Sequence, residues 1–312
     1  MELVERLLRG DKRAAAKAIS LLEDYDKKAA EVLGAIYPHT GKAHIIGITG
    51  PTGTGKSTLV FALAKEFRKR DKKVGIIAID PTSPFTGGAL LGDRIRMGNL
   101  TLDEGVFIRS MGTRGHAGGT SRATADVIKV LDAMGMQIIF AETAGAGQSE
   151  VDIARIAHTS IVVEMPGLGD DIQAMKAGIL EIGDIFVVNK ADLDGVDSTL
   201  ANLSLVVERE KPSGWKPRMQ LTVATEDKGI TDLADLIEEH YDFLKESGTL
   251  ETERVERAKE ELRAALSQHL FLRVLERPEL IGEFNNLVQM ITKKEMDPHS
   301  AAEKLLGLAG IA

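Results

Sequence analysis

Between residues 43 and 223 the chain alternates short apolar runs with longer amphipathic stretches. The runs cover residues 43–48, 74–79, 106–108, 137–141, 160–163, 185–188 and 220–223. Near-continuous apolar runs separated by helix-length segments predict strands buried on both faces. The expected fold is therefore α/β, with a mostly parallel central sheet flanked by helices. Ahead of this zone, "GDKRAAAKAISLLED" sets Ala15, Ile19 and Leu22 at helical spacing behind Asp11, a natural N-cap, and Pro38 closes the stretch. Beyond Ser247 the composition turns charged and helix-favouring. There "LETERVERAKEELRAALSQHLFLRVL" brings Leu250, Val255, Ala258, Leu262, Leu266 and Leu270 near one face. That stripe either packs on its own domain or is buried against another subunit. Three parts are expected: a helical N-terminal extension over 1–38, the sheet domain over 39–246, and a helical C-terminal arm over 247–312.

Composition narrows the function classes. A net charge of −8 over 312 residues lacks the basic footprint of a general nucleic-acid binder. The absence of cysteine excludes disulfides, thiolate zinc sites and cysteine nucleophiles. No stretch approaches eighteen uncharged apolar residues, and the first twenty residues have no apolar core of signal-peptide length. A soluble cytoplasmic protein with no membrane contact, or the mature part of an organellar one, is expected.

The segment "GITGPTGTGKSTLV" carries the first chemistry. Residues 50–57 fit G-x-x-x-x-G-K-[ST] in full, between a predicted strand and a predicted helix over 57–70. Gly50, Gly53, Thr54, Gly55 and Thr58 shape a cradle whose backbone N–H groups converge on phosphate oxygens at a helix N-terminus. Lys56 reaches the β- and γ-phosphates and the Ser57 hydroxyl binds Mg²⁺. Glu142 and Gly145, in "AETAG", form an acid-x-x-Gly element at a strand end, placing a carboxylate near the metal and an N–H near the γ-phosphate. Asp80 ends another strand at the ligand-binding edge of such a sheet, with an N-cap or turn residue before Pro81 as its alternative. Asp93 is a further acidic candidate, with a surface ion pair to Arg94 or Arg96 as its alternative.

The base is read by "VVNKADL". In Asn189-Lys190-x-Asp192 the carboxylate accepts from guanine N1–H and the 2-amino group, Asn189 contacts the other edge, and the lysine stem covers the ring. Adenine has no 2-amino donor, so ATP would leave that carboxylate unpaired. A backbone N–H near Ala224 is placed for guanine O6. The expected ligand is GTP or GDP. Ala146 stands where small switch GTPases carry the glutamine that orients water, and Gln148 comes two residues later. Slow intrinsic hydrolysis is expected, accelerated by a partner on the order of 10³–10⁵-fold.

Four further segments carry a resemblance: "DPTSPFTGGALLGDRIRM", "FIRSMGTRGHAGGTSRAT", "ETAGAGQSEVDIA" and "PGLGDDIQAMKAGILEIGDIFVVNKAD". Together they resemble the MeaB/ArgK family of P-loop GTPases, the chaperones of adenosylcobalamin-dependent acyl-CoA mutases such as methylmalonyl-CoA mutase. The likeness is dense over residues 40–245. It implies a homodimer built through the C-terminal arm. It also implies a first switch containing Asp80 and Asp93, acidic residues that approach Mg²⁺, and a second switch from Glu142 to Glu150 that includes Gln148. A third switch facing the mutase contains Asp170, Asp171, Gln173 and Lys176. Read without the resemblance, "GDDIQAMK" is a capped helix start with a solvated acidic pair. The first half of the phosphate loop, Ala146 and Gly112 depart from the family's usual residues, which leaves the mutase client open. Two other classes stand beside this reading: an ATPase or kinase attached to basic amino-acid transport, and a metallocentre-insertion GTPase. The base-reading motif opposes the first. The lack of cysteine opposes the second, and His116 is a lone histidine.

Overall fold

The computed structural model describes residues 2–24, 28–80, 98–112, 119–143, 149–167, 179–207, 210–275 and 277–310. The chain divides into two compact units, Met1–Thr249 and Leu250–Ala312. In the first unit the described residues form a seven-stranded sheet: β1 (His44–Thr49), β2 (Val74–Asp80), β3 (Val106–Gly112), β4 (Ile138–Thr143), β5 (Thr159–Glu164), β6 (Ile185–Asn189) and β7 (Arg218–Thr222). The order is β3-β2-β4-β1-β5-β6-β7 and every pairing is parallel. All seven expected runs become strands. Their ends shift by one or two residues, except that β3 runs on to Gly112; β7 starts early, at Arg218. Both are edge strands, whose exposed side tolerates the polar residues that end an apolar run early.

The helices of this unit are α1 (Glu2–Leu8), α2 (Lys12–Glu23), α3 (Lys28–Ile36), α4 (Lys56–Lys69), α5 (Gly119–Ala133), α6 (Ser149–Ile156), α7 (Ile179–Ile182), α8 (Val196–Val207) and α9 (Ile230–Glu246). One face of the sheet buries Ile46, Ile48 and Ile161 under Leu59, Leu63 and Phe67 of α4 and Leu233 and Ile237 of α9. The other face packs Ile77, Ile79 and Ile139 against Val127 and Leu131 of α5 and against Leu7, Ile19 and Ile36 of the first three helices. The N-terminal helices thus share the core of the sheet. Asp11 caps α2 as expected, its carboxylate accepting from the N–H groups of Arg13 and Ala14.

Two charged contacts fix the elements that carry the phosphate loop. The Asp132 carboxylate accepts from three consecutive N–H groups, Gly41 at 2.5 Å, Lys42 at 3.2 Å and Ala43 at 3.1 Å, and so sets where the chain enters β1. Arg70, just past α4, pairs with Asp235 and Glu238 of α9, both at 2.7 Å.

The second unit consists of α10 (Thr249–Leu275, starting at the boundary), α11 (Pro278–Thr292) and α12 (Pro298–Leu308). Val274, Leu280, Leu305 and Ala309 form a small apolar contact, and Arg277 donates to the Ala309 carbonyl. Val255, Leu262, Leu266 and Phe271 of α10 are exposed. Among the described residues no helix is long and apolar enough to cross a membrane.

Candidate functional site

In a parallel sheet the C-terminal strand ends share one edge, and ligands bind outside it where neighbouring connections diverge. β1 lies between β4 and β5 and delivers the chain into residues 50–57 at that edge. The loop bends through left-handed backbone at Gly50 (φ 135°), Gly53 (φ 89°) and Gly55 (φ 90°). A Cβ at Gly50 would sit 2.2 Å from the Val163 carbonyl oxygen, and one at Gly55 2.5 Å from the Asn189 amide nitrogen. Glycine is therefore required twice over, by conformation and by close approach. α4 starts one residue earlier than the sequence suggests, at Lys56, and no side chain caps it. Its first-turn N–H groups point into the cradle, the arrangement that suits a phosphate.

Lys56 is buried and donates to the carbonyls of Gly50 at 2.7 Å and Pro51 at 2.9 Å. It thus lies along the loop, where its ammonium is positioned to meet a phosphate. Thr54 is buried, with its hydroxyl on the Pro51 carbonyl, and Thr58 is half-buried on the first turn of α4. Ser57 donates its hydroxyl to Glu142 Oε1 at 2.6 Å. Glu142 is buried on β4, in register with Ile48 of β1 and Ala78 of β2. A hydroxyl and a carboxylate oxygen brought together beside a phosphate cradle are the hard donors that Mg²⁺ takes, so these residues fit that ion.

The base-reading motif lies against the loop. Asn189 ends β6, and one N–H of its amide donates to the Thr54 carbonyl at 2.9 Å. Its Oδ1 accepts from the Thr222 hydroxyl at 3.0 Å and the Ala224 N–H at 3.2 Å. Asn189 thus ties the base loop to the phosphate loop and keeps a second amide proton for a ligand, while the Ala224 N–H joins that brace. Lys190 adopts left-handed backbone (φ 57°) and stretches its ammonium 2.7 Å from the Gly53 carbonyl. Its stem spans from the motif to the phosphate loop, along the wall expected of a base pocket. Asp192 is exposed and available to a ligand edge.

Thr222 was not singled out from the sequence. Its hydroxyl holds Asn189 and its carbonyl accepts the Ala191 N–H at 3.1 Å, so the motif is held by it at two positions. A threonine at a strand end carries no local signal; only the meeting of β6 and β7 reveals the role.

Asp80 ends β2 beside Gly112 of β3, and Glu150 lies in the first turn of α6. The side chains of both lie outside what the structure describes. Asp93, Gly145, Gln148, Asp170, Asp171, Gln173 and Lys176 lie outside the described residues altogether.

Comparison with known proteins agrees with this geometry. The family model described as methylmalonyl Co-A mutase-associated GTPase MeaB matches residues 15–279. A Pyrococcus abyssi protein named as a GTPase is 52% identical over 309 residues, covering 98% of this chain and 95% of that one. The GTPase ArgK of Escherichia coli is 30% identical, covering 97% of this chain and 95% of its own. The mitochondrial methylmalonic aciduria type A homolog of Caenorhabditis elegans is 29% identical, with 98% of this chain and 82% of that one covered. Among solved structures, one described as an LAO/AO transport system kinase superposes with a TM-score of 0.70. It is 24% identical, covers 98% of this chain and 96% of its own, and shows the same fold.

Proposed function

The chain belongs to the family of methylmalonyl-CoA mutase-associated GTPases named MeaB, and from that premise we propose that it is a guanine-nucleotide switch serving an adenosylcobalamin-dependent acyl-CoA mutase. Its client is methylmalonyl-CoA mutase or a related enzyme. In this reading the GTP and GDP states bind the mutase with different affinity. That difference gates loading of intact cofactor and removal of a damaged one.

One observation carries the nucleotide half of the proposal. Asn189 bonds to the phosphate loop at the Thr54 carbonyl, to Thr222 at the end of β7 and to Ala224 beyond it, so guanine and phosphate recognition form a single braced surface. Lys56 would exchange its carbonyl partners for β- and γ-phosphate oxygens. Ser57 and Glu142 would hold Mg²⁺, which supplies charge neutralisation at the phosphates. Asp192 would accept the two donors on the guanine edge. With Ala146 after the acid-x-x-Gly glycine, hydrolysis is slow until the mutase orders or supplies the missing group.

The mutase half rests on the family and on the name of the worm relative. The C-terminal unit is read as a dimerisation arm, since α10 exposes Val255, Leu262, Leu266 and Phe271 over a length of charged helix. The test is capture of candidate acyl-CoA mutases by the full chain loaded with a non-hydrolysable GTP analogue or with GDP. Nucleotide-dependent capture of one mutase is expected, together with acceleration of GTP hydrolysis by that mutase. Equal capture in both states, with hydrolysis unchanged, would contradict the proposal.

A further inference from the structure

At the edge of the sheet opposite the phosphate loop, buried polar groups connect the starts of β1 and β5 and the turn before β6 to α9. His44 Nε2 and Thr159 Oγ1 are 2.7 Å apart, and Thr159 Oγ1 and His240 Nδ1 are 2.8 Å apart. His240 Nε2 faces Asp184 Oδ1 at 3.7 Å. Asp184 in turn accepts from the Lys211 ammonium at 2.5 Å and from the Ser160 N–H at 2.7 Å. His44, Thr159, Asp184 and His240 are all buried.

The proton count couples the tautomers. A threonine hydroxyl has one proton, so Thr159 donates to one imidazole and must accept from the other. The Asp184 carboxylate, 3.7 Å from Nε2, draws the His240 proton to that nitrogen. His240 Nδ1 then accepts from Thr159, and Thr159 accepts from the His44 Nε2–H. Neutral rings in this arrangement satisfy both hydrogen bonds of Thr159. In that arrangement a proton added to His240 lands on Nδ1, where it turns the acceptor into a donor and displaces the Thr159 hydroxyl proton from its partner. The neighbouring His158 is set in the same way, since its Nδ1 accepts the Ile45 N–H at 3.1 Å.

The surroundings oppose charge on these rings. Tyr241 of α9 stacks on His44 at 4.0 Å, and the Lys245 ammonium lies 4.0 Å from the centre of the Tyr241 ring. Burial pushes His44 well below the ordinary imidazole range, with His158, His240 and Lys245 acting in the same direction. Burial also lowers His240, where Asp184 pulls upward and Lys211 downward.

We propose that this chain is an acid-sensitive latch that fixes α9 to the sheet while the imidazoles are neutral and releases it on protonation. α9 covers α4, the helix that begins in the phosphate loop, so the latch governs how firmly that loop is backed. The sign follows from linkage. These imidazoles bind protons less readily when latched than at the unperturbed value near 6.5. The latch is therefore at full strength above that pH and weakens as pH falls. Each histidine shifts the opening equilibrium by up to about tenfold per pH unit.

Trp215, the single tryptophan, reports on the latch directly. Its indole meets His240 edge-on with centroids 4.6 Å apart, and its Nε1–H donates to the Asp184 carbonyl at 3.0 Å. The experiment follows Trp215 emission and amide hydrogen exchange, corrected for intrinsic rate, on the full chain between pH 7.5 and 5.0. Emission should change below about pH 6.5, with protection across residues 230–246 falling before that of β2 and β4. In His240→Gln the amide can accept from Thr159 and donate to Asp184 without titrating, so the transition should move to lower pH. Thr159→Val removes the central hydroxyl and should loosen α9 already at pH 7.5. Flat emission and protection in the unmodified chain, an unshifted transition in His240→Gln, or an unchanged α9 in Thr159→Val would each overturn the proposal.

Discussion

Asn189→Ala removes one side chain that three buried groups depend on. The Thr54 carbonyl loses its donor at 2.9 Å, and the Thr222 hydroxyl and Ala224 N–H lose their shared acceptor at 3.0 and 3.2 Å. Thr54, Thr222 and Ala224 are all buried, so solvent replaces these bonds poorly. A buried polar group left without its partner costs about 1–3 kcal/mol. Three such groups in one cluster are not additive, and a net loss of about 3 kcal/mol is expected. At 1.4 kcal/mol per tenfold, guanine-nucleotide affinity should weaken by about two orders of magnitude. Thr222→Val deletes only one of the three bonds and should cost about 1 kcal/mol, or roughly fivefold. Calorimetric titration with GDP reads both variants on one scale, and the unfolding midpoint should fall in the same order. An Asn189→Ala protein that binds GDP like the unmodified chain would refute the brace.

Gly50→Ala places a Cβ 2.2 Å from the Val163 carbonyl in left-handed backbone, so nucleotide binding should be lost even where circular dichroism shows a folded chain. Asp132→Ala frees the N–H groups of residues 41–43 and should lower stability by about 3 kcal/mol in urea unfolding, while the folded fraction binds nucleotide normally. In Asp192→Asn one of the two acceptor oxygens facing the guanine edge becomes a donor. Preference should shift from guanosine toward xanthosine nucleotides, whose 2-oxo group accepts, and competition binding measures the exchange.

Much of this architecture is legible along the chain because its causes are local. All seven strands announce themselves as apolar runs, and Asp11 starts its helix where a cap belongs. The phosphate loop is legible for the same reason, since glycines, lysine and serine occupy one contiguous stretch. The rest of the site depends on separations that no window spans. The Ser57 and Glu142 contact bridges 85 positions, the Asn189 and Thr54 contact 135, and the Thr222 hydroxyl acts only where β7 meets β6. This distance is why the sequence shows Asn189 as a base contact and leaves its bracing role to the fold. The shared core of the first three helices and the sheet is hidden likewise, because an amphipathic pattern tells that a face is buried and not against what.

The central claim is that a phosphate cradle common to many nucleotide enzymes is committed to guanine by Asn189, Lys190 and Asp192. Parallel calorimetric titrations of the full chain with GDP and ADP, and with non-hydrolysable GTP and ATP analogues, test it most directly. The account predicts tight binding of both guanine nucleotides, with adenine nucleotides weaker by at least about 10³-fold because a carboxylate would be left unpaired. Equal affinity for the two bases, or preference for ATP, would contradict it.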